Sequence, residues 1–166
     1  MPADFAFTTE DREYLNHGGR ALMMRICRPE GAGRFPAVID LHGGAWSKGT
    51  LDECQARDEV LARRGIVAIA IDFRQAIDGY PSALVDINYA VRWVKANAMA
   101  LSTRADLVSM TGQSSGGHLA MLVAMRPTDP RYSAIPLPAG SPAVDASVRS
   151  IVMTWPVINP LSRLRH

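Results

Sequence analysis

Three features of the sequence predict an α/β domain with a mostly parallel sheet and flanking helices. Apolar runs rich in β-branched residues alternate with helix-like stretches from residue 36 onward, an order that builds parallel sheets. The runs PAVIDL (36–41) and IVAIAIDF (66–73) are almost continuously apolar, as strands covered on both faces are. Glycine-rich stretches, HGGAW (42–46) and GQSSG (112–116), follow strand-like runs, where the chain has to turn sharply.

Each element follows in order. FTTEDREYLN, the Gly18-Gly19 turn and RALMMRICRPE read as a pair of strands, and GAGR as a loop. PAVIDL is the first parallel strand, with Asp40 its odd residue. Thr50-Leu51-Asp52-Glu53 has the form of a capping box opening a helix to about Arg64, which Gly65 closes. IVAIAIDF is the second parallel strand. Pro81 suits the first turn of the next helix, where Leu84, Ile87, Val91 and Val94 recur at helical spacing and Asp86, Asn88, Arg92 and Lys95 form the opposite, polar face. DLVSMT is the third parallel strand. The run after Ser115 is apolar nearly all round and predicts a helix buried behind the sheet. RPTDPRYSAIPLPAGSP, with five prolines, predicts an irregular surface segment, and VRSIVMTWPV a fourth parallel strand.

Composition excludes several classes. The 166 residues suit one domain able to bury roughly two-thirds of its unfolded surface. With 48% hydrophobic and 20% charged residues and a net charge of +2, the balance is that of an ordinary globular chain. Lys48 and Lys95 are the only lysines, and the arginines lie scattered among acids, which argues against nucleic acid as a partner. The start lacks a basic, apolar leader and no run approaches a membrane span, so the chain reads as cytoplasmic. Cys27 and Cys54 have no partner spacing and read as reduced thiols; no metal or cofactor is expected.

The chemistry concentrates in two motifs. Gly112-Gln113-Ser114-Ser115-Gly116, between a strand and a helix, suits a strained turn that exposes the Ser114 hydroxyl as a nucleophile, with Gly112 and Gly116 preventing clashes. The following helix start favours negative charge on the substrate. In His42-Gly43-Gly44-Ala45-Trp46 the backbone can approach a ligand with its amides turned inward, so that Gly43, Gly44 and Ala45 join Ser115 as candidate oxyanion donors. His42 reads better as a hydrogen-bonding support for this loop than as a base. Trp46 and Trp155 are candidate substrate-pocket walls, though packing or surface roles suit them equally.

LHGGAW, AIDFRQA, YPSALVDINYAVRWVKANA and TGQSSGGHLA, in this order, resemble the α/β-hydrolase fold, and more narrowly the hormone-sensitive-lipase-like carboxylesterases with their acetyl-esterase, feruloyl-esterase and arylformamidase relatives. The resemblance covers about Pro36 to Pro156. It implies Ser114 as nucleophile, an oxyanion hole from the HGGAW loop plus Ser115, a small-molecule ester as substrate, and structural roles for Arg74 and Asp86. Ala45 replaces the third glycine of many relatives, which keeps an amide but narrows the acyl pocket.

The same resemblance places the acidic residue and the histidine of a triad beyond further strands. After Ser114 this sequence offers only the acids Asp129 and Asp145 and the histidines His118 and His166. His118 lies one helical turn past Ser114 and is expected beneath the turn rather than at the site; His166 is unanchored. The expectation is therefore a single α/β-hydrolase domain over residues 1–166, truncated after about the sixth strand and incomplete at its C-terminal end. It would be the amino-terminal part of a longer esterase, with little activity alone. A site completed by another chain, with a homo-oligomer left open, and a ligand-binding protein that lacks the base are the alternatives.

Overall fold

The computed structural model describes residues 4–165. Its mixed sheet has six strands: β1 (Phe7–His17), β2 (Arg20–Pro29), β3 (Phe35–Leu41), β4 (Val67–Ile71), β5 (Thr103–Gln113) and β6 (Ile151–Thr154), in the order β1-β2-β4-β3-β5-β6. The β1–β2 and β2–β4 pairs are antiparallel, whereas β4–β3, β3–β5 and β5–β6 are parallel. The helices are α1 (Gln55–Arg63), α2 (Ser82–Ala96), α3 (Ser115–Met125) and the short α4 (Pro160–Leu164). Among the described residues no helix is long and apolar enough to cross a membrane.

The alternation of β4 shows how the layers are assigned. Successive strand residues point to opposite faces. Ala68 packs with Cys27 and Ala62 of α1, and Ala70 with Leu51 and Cys54, so small side chains bring α1 close. Val67, Ile69 and Ile71 face the other way, into the main core with Ile87, Val91 and Val94 of α2 and Leu119 and Val123 of α3.

Three sequence expectations are corrected. Thr50 makes no side-chain cap; the Leu51 amide donates to Asp72 Oδ1 at 2.9 Å, and the segment Leu51–Cys54 is a 3-10 turn before α1 begins. A carboxylate at the end of β4 has displaced the local hydroxyl. Pro81 is the residue before α2 rather than within its first turn. The polar face of α2 packs against other segments of the chain. Asp86 is fully buried between Arg74 and His17, Asn88 Nδ2 donates to the Pro127 carbonyl, and Arg92 donates to Asn88 and to the Ile135 carbonyl. Lys95 holds Asp145 and Ser147. The bonds of Asn88, Arg92 and Lys95 fasten the stretch from Pro127 to Ser147, in which Tyr132 and Ala146 are buried, across α2. The helix α3 is less enclosed than expected, since Met125 is exposed at its end.

Asp40 points to the α1 face and is fully buried. Arg57 grips both of its oxygens, Nε to Oδ2 at 2.5 Å and Nη2 to Oδ1 at 2.6 Å, and its Nη1 reaches Gln113 Oε1 at 3.3 Å. Beside this pair Asp58 is buried with neither carboxyl oxygen given a donor. Desolvation first, then the charge of Asp40, pushes its pKa up to about 9. The folded state thus holds a proton that the unfolded chain releases near the ordinary aspartate value of 3.8. The associated stability is fully present below that value and drains away as pH rises towards about 9. Asp58→Asn keeps the shape and removes the titration. In urea unfolding the variant should exceed the parent sequence at pH 8, with the gap closing towards pH 4; parallel pH profiles would refute the buried acid.

Candidate active site

The site is organised by two chain reversals at the C-terminal ends of β3 and β5. Ser114 ends β5 and precedes α3 with φ 53° and ψ −120°, a left-handed conformation that costs a non-glycine residue about 1–3 kcal/mol. Its backbone is tied on three sides: its amide donates to Thr154 O at 3.0 Å, and its carbonyl accepts from His118 N and Val157 N, each at 3.2 Å. The strain persists because β6, α3 and the segment after β6 all fix this residue. Its side chain is partly exposed, and Oγ has no hydrogen-bond partner among the described residues.

Gly112 and Gly116 let this turn form. A Cβ on Gly116 would overlap the carbonyl oxygens of Leu41 and His42, and one on Gly112 would lie 2.6 Å from the Gly116 carbonyl carbon. β5, α3 and the end of β3 are therefore in backbone-to-backbone contact.

The HGGAW segment lies against the same turn. A Cβ on Gly43 would stand 3.5 Å from Ser114 Cβ, an ordinary contact distance. Gly44 adopts φ 107°, and Ala45 and Trp46 follow at φ 51° and 62°, coiling the loop so that Ser47 N and Lys48 N both donate to Gly44 O at 3.1 Å. The amides of Gly43, Gly44 and Ala45 have no acceptor among the described residues, nor does that of Ser115 in the first turn of α3. His42 is buried; its Nδ1 lies 2.7 Å from Gly43 O and its ring stacks on Phe73 at 4.3 Å.

Trp155 is 86% exposed and lines an open depression with Ser114, Pro156, Val157 and Ile158. Trp46 is half-buried and donates from Nε1 to His118 Nδ1 at 3.2 Å. The His118 ring thus reaches the HGGAW loop, a contact the sequence reading missed; burial lowers its pKa. None of the rings of His42, His118 and His17, the last paired with Asp86, hydrogen-bonds the Ser114 hydroxyl, and His166 lies outside the described residues. Asp129 and Asp145 are occupied by Arg131 and by Lys95 with Ser147. Among the described residues no cluster of His, Cys, Asp or Glu could hold a metal ion.

The profile of the BD-FAE family matches residues 24–158. The chain belongs to the BD-FAE family. It is 34% identical over 119 residues to esterase LipC of Mycobacterium tuberculosis, an alignment spanning 70% of this chain and 28% of LipC. It is 32% identical over 139 residues to ethyl acetate hydrolase of Pseudomonas putida, spanning 81% and 42%. Esterase 2 of Thermogutta terrifontis, solved phosphorylated by paraoxon, superposes with a TM-score of 0.76 at 25% identity, covering 90% of this chain and 57% of that one. The fold is that of the α/β-hydrolase esterases, and the chain spans less than half the length of these two curated relatives.

The strain at Ser114 has a direct test. Ser114→Gly removes no side-chain hydrogen bond and relieves about 1–3 kcal/mol of strain against about 0.5–1 kcal/mol of added chain entropy. The variant should unfold at higher urea concentration, a gain of about 1 kcal/mol; a loss of stability would show that the turn is unstrained.

Proposed function

We propose that this chain carries the nucleophile and oxyanion half of a carboxylic ester hydrolase. Ser114 Oγ attacks the ester carbonyl carbon, giving a tetrahedral intermediate whose oxyanion takes hydrogen bonds from the amides of Ser115 and of Gly43, Gly44 or Ala45. Collapse of the intermediate breaks the bond to the alcohol oxygen, which leaves with a proton. Water then attacks the acyl-serine, releasing the acid and restoring the hydroxyl. The observation that supports this most is the closeness of the two reversals: a Cβ on Gly43 would stand 3.5 Å from Ser114 Cβ, and the amides of Gly43, Gly44, Ala45 and Ser115 have no acceptor among the described residues. Relatives named as esterases, and an esterase of the same fold that paraoxon phosphorylates, favour the same chemistry. Short-chain esters are the first substrate class; arylformamides and acetylated or feruloylated sugars come next.

Each described histidine ring is engaged elsewhere, so in this reading the proton acceptor and its carboxylate are not among the described residues. Alone, the chain should keep roughly 10³–10⁴-fold acceleration over water from its oxyanion amides and binding. The same engagement of the histidines favours a second reading, a ligand-binding protein without turnover.

A fluorophosphonate probe and p-nitrophenyl acetate separate these readings. Ser114 should be labelled, Ser114→Ala should not, and ester turnover by this chain should fall several orders of magnitude below that of a longer polypeptide that adds a histidine. Equal Ser114-dependent rates for the two forms would show that the base lies within this chain. No labelling of either form would leave the binding reading.

A further inference from the structure

The β3–β5 ladder ends at the pair Leu41–Gly112. Past that pair the two chains turn into the HGGAW loop and the Ser114 turn, and among the described residues no backbone hydrogen bond joins 42–46 to 113–116. The distance from the loop amides to the Ser114 hydroxyl is therefore not set by strand pairing. Close packing of Gly116 on the Leu41 and His42 carbonyls limits how near the reversals come, yet such contacts resist separation only weakly.

Arg57 crosses this gap from α1. Its guanidinium holds both oxygens of the buried Asp40, three residues before Gly43, and donates from Nη1 to Gln113 Oε1 at 3.3 Å, one residue before Ser114. A planar fork of donors can reach a carboxylate and an amide oxygen at once, which a single ammonium cannot. The neighbouring Asp58 takes none of these hydrogen bonds, so the fork is not divided. The stem of Arg57 is fixed in turn by α1, whose Ala62 packs on Ala68 of β4.

Gln113 faces the loop as well. A Cβ on Gly43 would stand 3.5 Å from Gln113 Cγ and 3.5 Å from Gln113 O, the same distance as from Ser114 Cβ. The Gln113 stem is thus the wall beside the first candidate donor residue, and its far end is held by Arg57. We propose that Gln113, locked by Arg57, is a positioning residue that sets the distance between the Ser114 hydroxyl and the amides of the HGGAW loop. That these amides serve an oxyanion rests on the acyl-transfer reading above.

The test compares four chains: the parent sequence, Gln113→Met, Arg57→Lys and the double variant. Methionine keeps the length of the side chain and removes the acceptor. Lysine keeps a cation beside Asp40, which averts an unpaired buried charge, and loses the fork that spans both partners. With a fluorophosphonate probe, each single change should lower the limiting rate of Ser114 labelling about tenfold while the half-saturating probe concentration stays the same. Thermal unfolding of Gln113→Met should match that of the parent sequence. The double variant should be no slower than the slower single one, because both changes act through one bond. A parental limiting rate in Gln113→Met, a fall carried by weaker probe binding, or effects that multiply to about a hundredfold would overturn the inference. Should Arg57→Lys fail to fold, Gln113→Met against the parent sequence decides alone. The same chains are read without a probe by ¹H–¹⁵N spectra, in which the Gly44 and Ala45 amide resonances should shift in each single variant and no further in the double. If the parent sequence does not label, the acyl-transfer reading alone is refuted and these resonances decide: shifted together, the positioning role stands; unmoved, it fails.

Discussion

The absence of side chains where β3, β5 and α3 meet is the constraint on which the rest of the structure depends. Gly116 lies so close to the Leu41 and His42 carbonyls that any Cβ would collide, and Gly112 is packed against Gly116 in the same way. This approach puts the first turn of α3 directly against the strand that launches the HGGAW loop. It forces Ser114 into a left-handed conformation, and hydrogen bonds from β6, α3 and the following segment keep it there. The small stretch of strained backbone is affordable because the surrounding sheet is rigid and deeply buried.

A charged layer beneath the sheet supports the same junction. Arg57 joins Asp40, two residues before His42, to Gln113, the residue before Ser114. Both reversals are thus tied to α1 through one guanidinium. Across the sheet Asp86 gathers Arg74 and His17 around the end of β4 and the start of α2. Both carboxylates are fully buried, and both owe their tolerance to bidentate arginine partners.

Much of the architecture was legible in the sequence because strand burial and turn chemistry are local. The apolar runs at 36–41 and 66–73 became central strands, and the glycines of GQSSG and HGG fell at the reversals. What was not legible depended on partners far along the chain. Thr50 lost its capping role to Asp72, 22 residues away and brought there only by strand pairing. Asn88 and Arg92 read only as part of a polar stripe on α2, because the proline-rich segment whose carbonyls they hold carries no pattern announcing its docking site. Nothing in the sequence around Asp58 marks it as buried; only the arrival of Asp40 and the sheet makes it so. The His118–Trp46 bond spans 72 residues and had no signal beyond the two motifs that contain its partners.

The proposed ester hydrolysis requires one spatial relation, the Ser114 hydroxyl facing main-chain amides of the HGGAW loop. A crystal structure of the chain after fluorophosphonate treatment reads it directly. The phosphonyl oxygen on Ser114 should lie about 2.7–3.1 Å from the Ser115 amide and from at least one amide of Gly43, Gly44 or Ala45. An oxygen turned towards Trp155 and solvent, with no amide within hydrogen-bonding distance, would contradict it.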